Sequence, residues 1–208
     1  MCPMSSPRRV RPRKQPKTKA GETIADAVIT ATEQILADTG LDGFSTNRVA
    51  ERAGVSVGSL YQYFPNKEAL LAEVAKRLER RAERLILELL ERTREEPLES
   101  VIEGVVDVLL GDGLSQRRVR HVLRYEVPSS WIRDTSEPVD REIQAAVVAE
   151  LGRRNDVRSD ASPEMLTWIS TYALELLVEQ VVLNQPALLE SAELRRELIR
   201  LVHGYLKK

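Results

Sequence analysis

Cysteine occurs once in the 208 residues, at Cys2, so no disulfide can form within the chain. A lone thiol of this kind fits a reducing compartment, and the expected location is the cytoplasm. Histidine occurs only at His121 and His203. With so few candidate ligands, and no pair of histidines at metal-binding spacing, the pattern of a zinc site is missing. A glycine-rich phosphate loop is missing as well, and nothing supports a Ser–His–Asp arrangement. The chain therefore reads as a non-enzyme that needs neither metal nor cofactor. No uninterrupted apolar run reaches the roughly 18 residues that span a bilayer. The basic N-terminus lacks the following apolar stretch of a secretory signal. Aromatic residues make up only 4 % of the chain, with ten glycines and ten prolines. Long runs of Leu, Ala, Glu and Arg go unbroken, a composition that favours helices.

Net charge is −1, so the chain as a whole is not a basic polymer binder. The charge is unevenly placed. Arg8, Arg9, Arg11, Arg13, Lys14, Lys17 and Lys19 form a run with no acidic residue among them. Four prolines also fall within residues 1–20, and this arm is expected to be disordered in isolation. Its charge suits DNA phosphates or an adjacent minor groove. Next, Ile24, Ala27, Val28, Ala31, Ile35 and Leu36 recur at three- and four-residue spacing and predict a helix ending near Thr39.

The run from Ser45 to Phe64 reads as two short helices joined by a tight turn. Val49, Ala50 and Ala53 give the first helix an apolar side, and Gly54 stands where a left-handed C-terminal cap belongs. Ser56 can cap the second helix by accepting an orphan backbone N–H. Val55 and Leu60 have the spacing of a hydrophobic staple. Leu60 and Phe64 share an inner face, leaving small and polar residues in front, an arrangement suited to a DNA major groove.

These residues carry a resemblance. The pattern Thr46…Val49-Ala50…Ala53-Gly54-Val55-Ser56-Val57-Gly58…Tyr61-Gln62-Tyr63-Phe64…Asn66-Lys67…Leu70-Leu71 resembles the DNA-binding domain of the TetR/AcrR family of bacterial transcriptional regulators. It covers roughly residues 22–71, about a quarter of the chain. Val49 departs mildly from the family's more frequent isoleucine, and many members lack the basic arm. The resemblance implies an all-α protein of about nine helices. A three-helix helix-turn-helix domain would be followed by a larger helical ligand-binding and dimerisation domain. Residues 1–20 would form the arm, 21–66 the DNA-binding domain and 67–208 the second domain.

Resemblance and geometry together assign roles on DNA. Thr46 and Ser56, at helix starts, can present hydroxyls and backbone N–H groups to phosphates. Tyr61, Tyr63 and Lys67 match family positions that touch the backbone and set register. Base reading falls to Val57, Gly58, Ser59 and Gln62. The implied function is a one-component regulator, a repressor that binds a palindromic operator as a homodimer and is released by a small-molecule effector. The alternative is a helix-turn-helix protein with no effector, or one acting as an activator.

Pro65 should stop the reading helix, with Asn66 capping a long helix from Lys67 to about Arg92. At 1.5 Å per residue that helix spans roughly 40 Å and offers a mechanical link between the domains. Further helices are expected near 98–110, 115–126, 137–153, 163–184 and 187–206. The helix at 163–184 carries apolar groups around most of its circumference and should be buried on two sides. With Leu194, Leu198, Leu201, Val202 and Tyr205 of the last helix it is expected to form the dimer interface, as the resemblance also implies. Candidate residues for the effector site are Val105, Leu109, His121, Tyr125, Trp131, Ile143, Val147, Trp168 and Tyr172. Trp131 stands out in an expected loop beside Pro128, placed to close over a ligand. Thr167, Thr171, Glu175 and Glu179 form a four-spaced polar line on an apolar helix. It is read as either a solvent strip or a pocket wall favouring cationic or hydrogen-bonding ligands.

Overall fold

The computed structural model describes residues 18–131 and 133–208, with backbone alone for residues 112–115, 117 and 133–140. The basic residues from Arg8 to Lys17, and Cys2, lie outside the described residues. The organisation is all-α. Helices α1 (Lys19–Thr39), α2 (Thr46–Ala53) and α3 (Val57–Tyr63) precede the long α4 (Lys67–Arg92) and α5 (Leu98–His121). Val122–Glu126 continues α5 in π geometry, and Ser129–Trp131 is a 3₁₀ turn. Then follow α6 (Arg133–Arg153), α7 (Pro163–Asn184), a 3₁₀ turn at Pro186–Glu190 and α8 (Ala192–Leu206).

Local chemistry sets most boundaries. The Ser45 hydroxyl accepts the Arg48 N–H and opens α2. Gly54 closes it with φ 67°, a left-handed conformation that side chains resist. The Ser56 hydroxyl accepts the Ser59 N–H at 3.0 Å, and the Asn66 carbonyl accepts the Ala69 N–H at 2.8 Å. Each such cap stabilises its helix by about 1 kcal/mol. Ser162 opens α7 and Ser191 opens α8 in the same way. The Ser191 cap also explains why residues 186–190 form a separate 3₁₀ turn instead of the start of the last helix.

One expected break is absent. Residues 98–121 form a single helix that passes through Gly111 and Gly113. A mid-helix glycine costs about 1 kcal/mol, which burial of Val106, Leu110 and Val119 on the same helix offsets.

The chain forms two compact units. The first holds the chain through Arg77 together with Arg118–Ser136; the second holds Leu78–Arg117 and Glu137–Lys208. The division falls inside α4, whose Leu70 belongs to the first core. Val28, Ile35, Val49, Leu60, Phe64 and Leu70 pack together there, with Phe44 and Val55 at the margin. Burying a leucine or phenylalanine of this kind contributes about 1.5–3 kcal/mol.

In the second unit the core joins α5, α7 and α8 through Ile102, Val106, Leu166, Leu174, Leu198 and Val202. Gly104 lets α5 approach α4 closely, since a Cβ there would lie 2.3 Å from Leu89 Cδ1. The Asp156 carboxylate accepts the Leu98 N–H at 2.9 Å and so caps α5 from a distant loop. Its pKa is held below the ordinary aspartate range, chiefly by the hydrogen bond from Arg154. Buried Glu150 accepts from Arg153 Nε at 2.7 Å and from Arg154 Nη1 at 2.8 Å. Helix α7 contains an 18-residue stretch of mean hydropathy 1.3, apolar enough by length and composition to cross a bilayer. Thr167, Ser170, Thr171, Glu175 and Glu179 interrupt the stretch, so it contains no long unbroken apolar run.

Candidate nucleic-acid interface and internal cavity

Helix α3 is held from behind by its own apolar residues. Leu60 is fully buried and Phe64 nearly so, while Ser56, Val57, Gly58, Tyr61 and Gln62 are exposed. Ser59 is half-buried, and its hydroxyl lies 2.9 Å from that of Ser56, engaged within the capping turn. Tyr63 is half-buried against the core beneath α3. Thr46 and Tyr61 bring their hydroxyls within 3.1 Å of each other, joining the start of α2 to the outer side of α3.

The arginines of α2 are committed elsewhere. Arg52 pairs with Asp38 at 2.5 Å, and Arg48 donates to the Gly43 carbonyl at 2.7 Å. Lys67 is exposed, with its ammonium 5.7 Å from the Trp131 ring centre.

Gly58 is the most informative position on this face. A Cβ there would meet nothing nearer than Ser56 Oγ at 3.8 Å. Neither a positive φ nor crowding within the subunit requires glycine at this site. The helix nevertheless gives up about 1 kcal/mol relative to alanine.

The nine residues expected around a ligand divide into three groups. Val105, Leu109, Ile143 and Val147 line a single cavity of about 130 Å³ in the second unit. His121, Tyr125 and Trp131 belong to the first unit, where His121 and Tyr125 stack with ring centres 5.4 Å apart. Trp168 and Tyr172 stand exposed on α7, 57 % and 46 % accessible. The Lys67 ammonium lies over the Trp131 ring.

Residues 118–136 belong to the unit that carries α1–α3, and the Glu126 carboxylate accepts the Leu41 N–H at 3.2 Å there. An 85-residue separation leaves no local signal for that bond. The cavity also takes in Ile86, Ser170 and Leu174. Of the four-spaced polar line, Thr171 and Glu175 are at its wall.

Two sequence profiles match the chain. One, described as "Bacterial regulatory proteins, tetR family", matches residues 28–74. The other, described as "Tetracyclin repressor-like, C-terminal domain", matches residues 97–206, more than half of the chain. The chain belongs to the TetR family. As a TetR-family member it is a DNA-binding transcriptional regulator and not an enzyme.

Among relatives of this TetR-family regulator, the class C tetracycline repressor protein of Escherichia coli is 46 % identical over 50 residues. That match covers 24 % of this chain and 23 % of the repressor, well under two thirds of its length. An uncharacterized HTH-type transcriptional regulator of Mycobacterium bovis is 27 % identical over 183 residues, covering 86 % of this chain and 92 % of its own. A TetR-family regulator from Mesorhizobium loti superposes with a TM-score of 0.74 at 16 % identity, covering 91 % and 97 % of the two chains. At that identity the likeness speaks to the TetR fold alone.

Proposed function

We propose that this protein is a repressor that binds a palindromic operator as a homodimer in the cytoplasm and is released by a small-molecule effector. The carrying observation is the outer face of α3. Its exposed Val57, Gly58 and Gln62 are backed by buried Leu60 and Phe64. Val57 meets a thymine methyl, Gly58 lets the backbone approach the bases, and Gln62 pairs with adenine or acts through water. Ser59 reads bases only by turning its hydroxyl away from Ser56. Thr46, Ser56, Tyr61, Tyr63 and Lys67 hold phosphates and set register.

Dimerisation through α7 and α8 is supported by the exposed apolar residues Met165, Trp168, Tyr172, Leu176 and Leu201. Apolar exposure of this extent marks an interaction surface. Two reading heads then address half-sites about one DNA turn apart, ~34–36 Å or a multiple. The effector enters the cavity lined by Val105, Leu109, Ile143 and Val147. Repression is supported by the relatives named tetracycline repressor proteins.

The test is selection of bound DNA from a random pool, followed by a screen for compounds that release the selected site. A palindrome that binds at moderate salt and is freed by one compound is the expected result. Absence of any preferred site would refute specific regulation. A preferred site that no compound releases would refute the effector.

A further inference from the structure

The polar groups on the cavity wall fix the charge that a ligand there can carry. Most of the wall is aliphatic, supplied by residues such as Ile86, Leu90, Val101 and Leu174. Among the described residues that line it there is no lysine or arginine, so an anion finds no counter-charge. Two carboxylates line it, Glu150 and Glu175. Buried Glu150 is matched by Arg153 and Arg154. Exposed Glu175 is engaged in an interaction of its own. Neither carboxylate is left over for an ammonium. An ion of either sign would give up its hydration here without a partner in return, a far larger cost than for a neutral group. Two hydroxyls complete the wall. Ser170 donates its proton to the Leu166 carbonyl at 2.7 Å, within its own helix. The Thr171 hydroxyl has no partner among the described residues.

Resting on the effector-responsive reading above, we propose that the cavity binds an uncharged, compact aliphatic alcohol. The hydrocarbon lies among the valine, leucine and isoleucine side chains. The ligand oxygen accepts the Thr171 proton, and the ligand's own proton goes to Ser170 Oγ, which keeps a lone pair after its proton is committed. Volume selects the body. A space of 130 Å³ is slightly smaller than the cavity of about 150 Å³ that accommodates benzene, so about six or seven non-hydrogen atoms fit.

The experiment is calorimetric titration of the full-length protein at neutral pH with n-alcohols of increasing length, with hexylamine, with hexanoate and with benzene. The alcohol 1-hexanol should bind at least tenfold more tightly than either ion. Affinity should rise about fourfold per methylene up to roughly six carbons and then level off. Thr171→Val keeps the shape of the side chain; it should weaken 1-hexanol severalfold and leave benzene unchanged. Ala82 also lines the cavity, and Ala82→Leu puts a larger side chain there. It should weaken 1-hexanol and benzene alike, at least tenfold. Thermal melts establish that the variants are folded, and either folded variant suffices.

Binding of hexylamine or hexanoate as tight as that of 1-hexanol, indifference to chain length, or unchanged 1-hexanol affinity in either folded variant would each overturn the proposal. Operator release is read separately. Alcohol binding that follows this pattern without releasing DNA leaves the ligand class standing and removes the effector reading. Release by another class of compound, with no alcohol binding, does the reverse.

Discussion

The Thr46 hydroxyl lies 3.1 Å from the Tyr61 phenolic oxygen, so the start of α2 and the outer side of α3 share one polar contact. With one hydroxyl donating to the other, the second keeps its proton for a phosphate, and Tyr61 fills that role when Thr46 donates to it. Tyr61→Phe should weaken operator binding by about tenfold or more, the worth of one hydrogen bond to a charged acceptor, about 1.5–3 kcal/mol. The loss should be the same for every operator sequence, because a phosphate contact carries no base information. Lys67→Ala should differ in kind by flattening the log–log salt dependence by about 0.9. Binding titrations across salt concentrations check both. An unchanged slope in Lys67→Ala would remove that lysine from the phosphate contacts.

Gly58→Ala separates folding from reading. With nothing near its Cβ, alanine should stabilise the protein by up to about 1 kcal/mol. The same methyl should reduce operator affinity by obstructing backbone approach. Denaturant melts and operator titration on one variant give both numbers. Higher stability with unaltered DNA affinity would mean that Gly58 does not face the bases.

Leu176→Glu places a charge in the exposed apolar face of α7, where Leu176 is 52 % accessible. Sedimentation should show a monomer in place of a dimer, and operator affinity should collapse because each half-site binds alone. A variant that stays dimeric would place the interface elsewhere.

Asp156 links the α5 cap to pH. Asp156→Ala should cost about 0.5–2 kcal/mol, the range for a lost helix cap. Because the folded carboxyl titrates below its ordinary value, the folded state binds that proton more weakly than the unfolded chain. The contribution is complete above about pH 4 and falls as pH drops through the folded-state value. Melts of the two proteins should therefore converge on acidification below pH 4.

Glu126→Ala removes the bond to the Leu41 N–H and should cost about 1 kcal/mol. Val101, Val105 and Leu109 on α5 line the cavity, and the same run of chain continues into Glu126. The ratio of operator affinities with and without effector should accordingly shrink. An unchanged ratio would confine Glu126 to a structural role.

Local signals were the legible ones. Gly54, Ser56, Pro65 and Asn66 act on residues within a turn of themselves, so the boundaries of α2, α3 and α4 could be read directly. Four-residue polar spacing on α7 was likewise visible and led to Thr171 and Glu175. His121, Tyr125 and Trp131 could not be placed this way. Their environment depends on residues 118–136 joining the unit of α1–α3, a tertiary arrangement with no periodic trace. Continuation of α5 through Gly111 and Gly113 was hidden for a related reason, since propensity speaks of the isolated helix and not of the core that offsets it. The engagement of the Ser59 hydroxyl with Ser56 follows from the geometry of a hydroxyl beside a capping serine.

Val57, Gly58 and Gln62 sit at the surface of a helix whose anchoring is done by Leu60 and Phe64. Changes at Val57 and Gln62 are therefore decoupled from foldability, and at Gly58 no neighbour within the subunit opposes a side chain. A lineage carrying this scaffold can vary the outer residues of α3 singly at little cost to its fold.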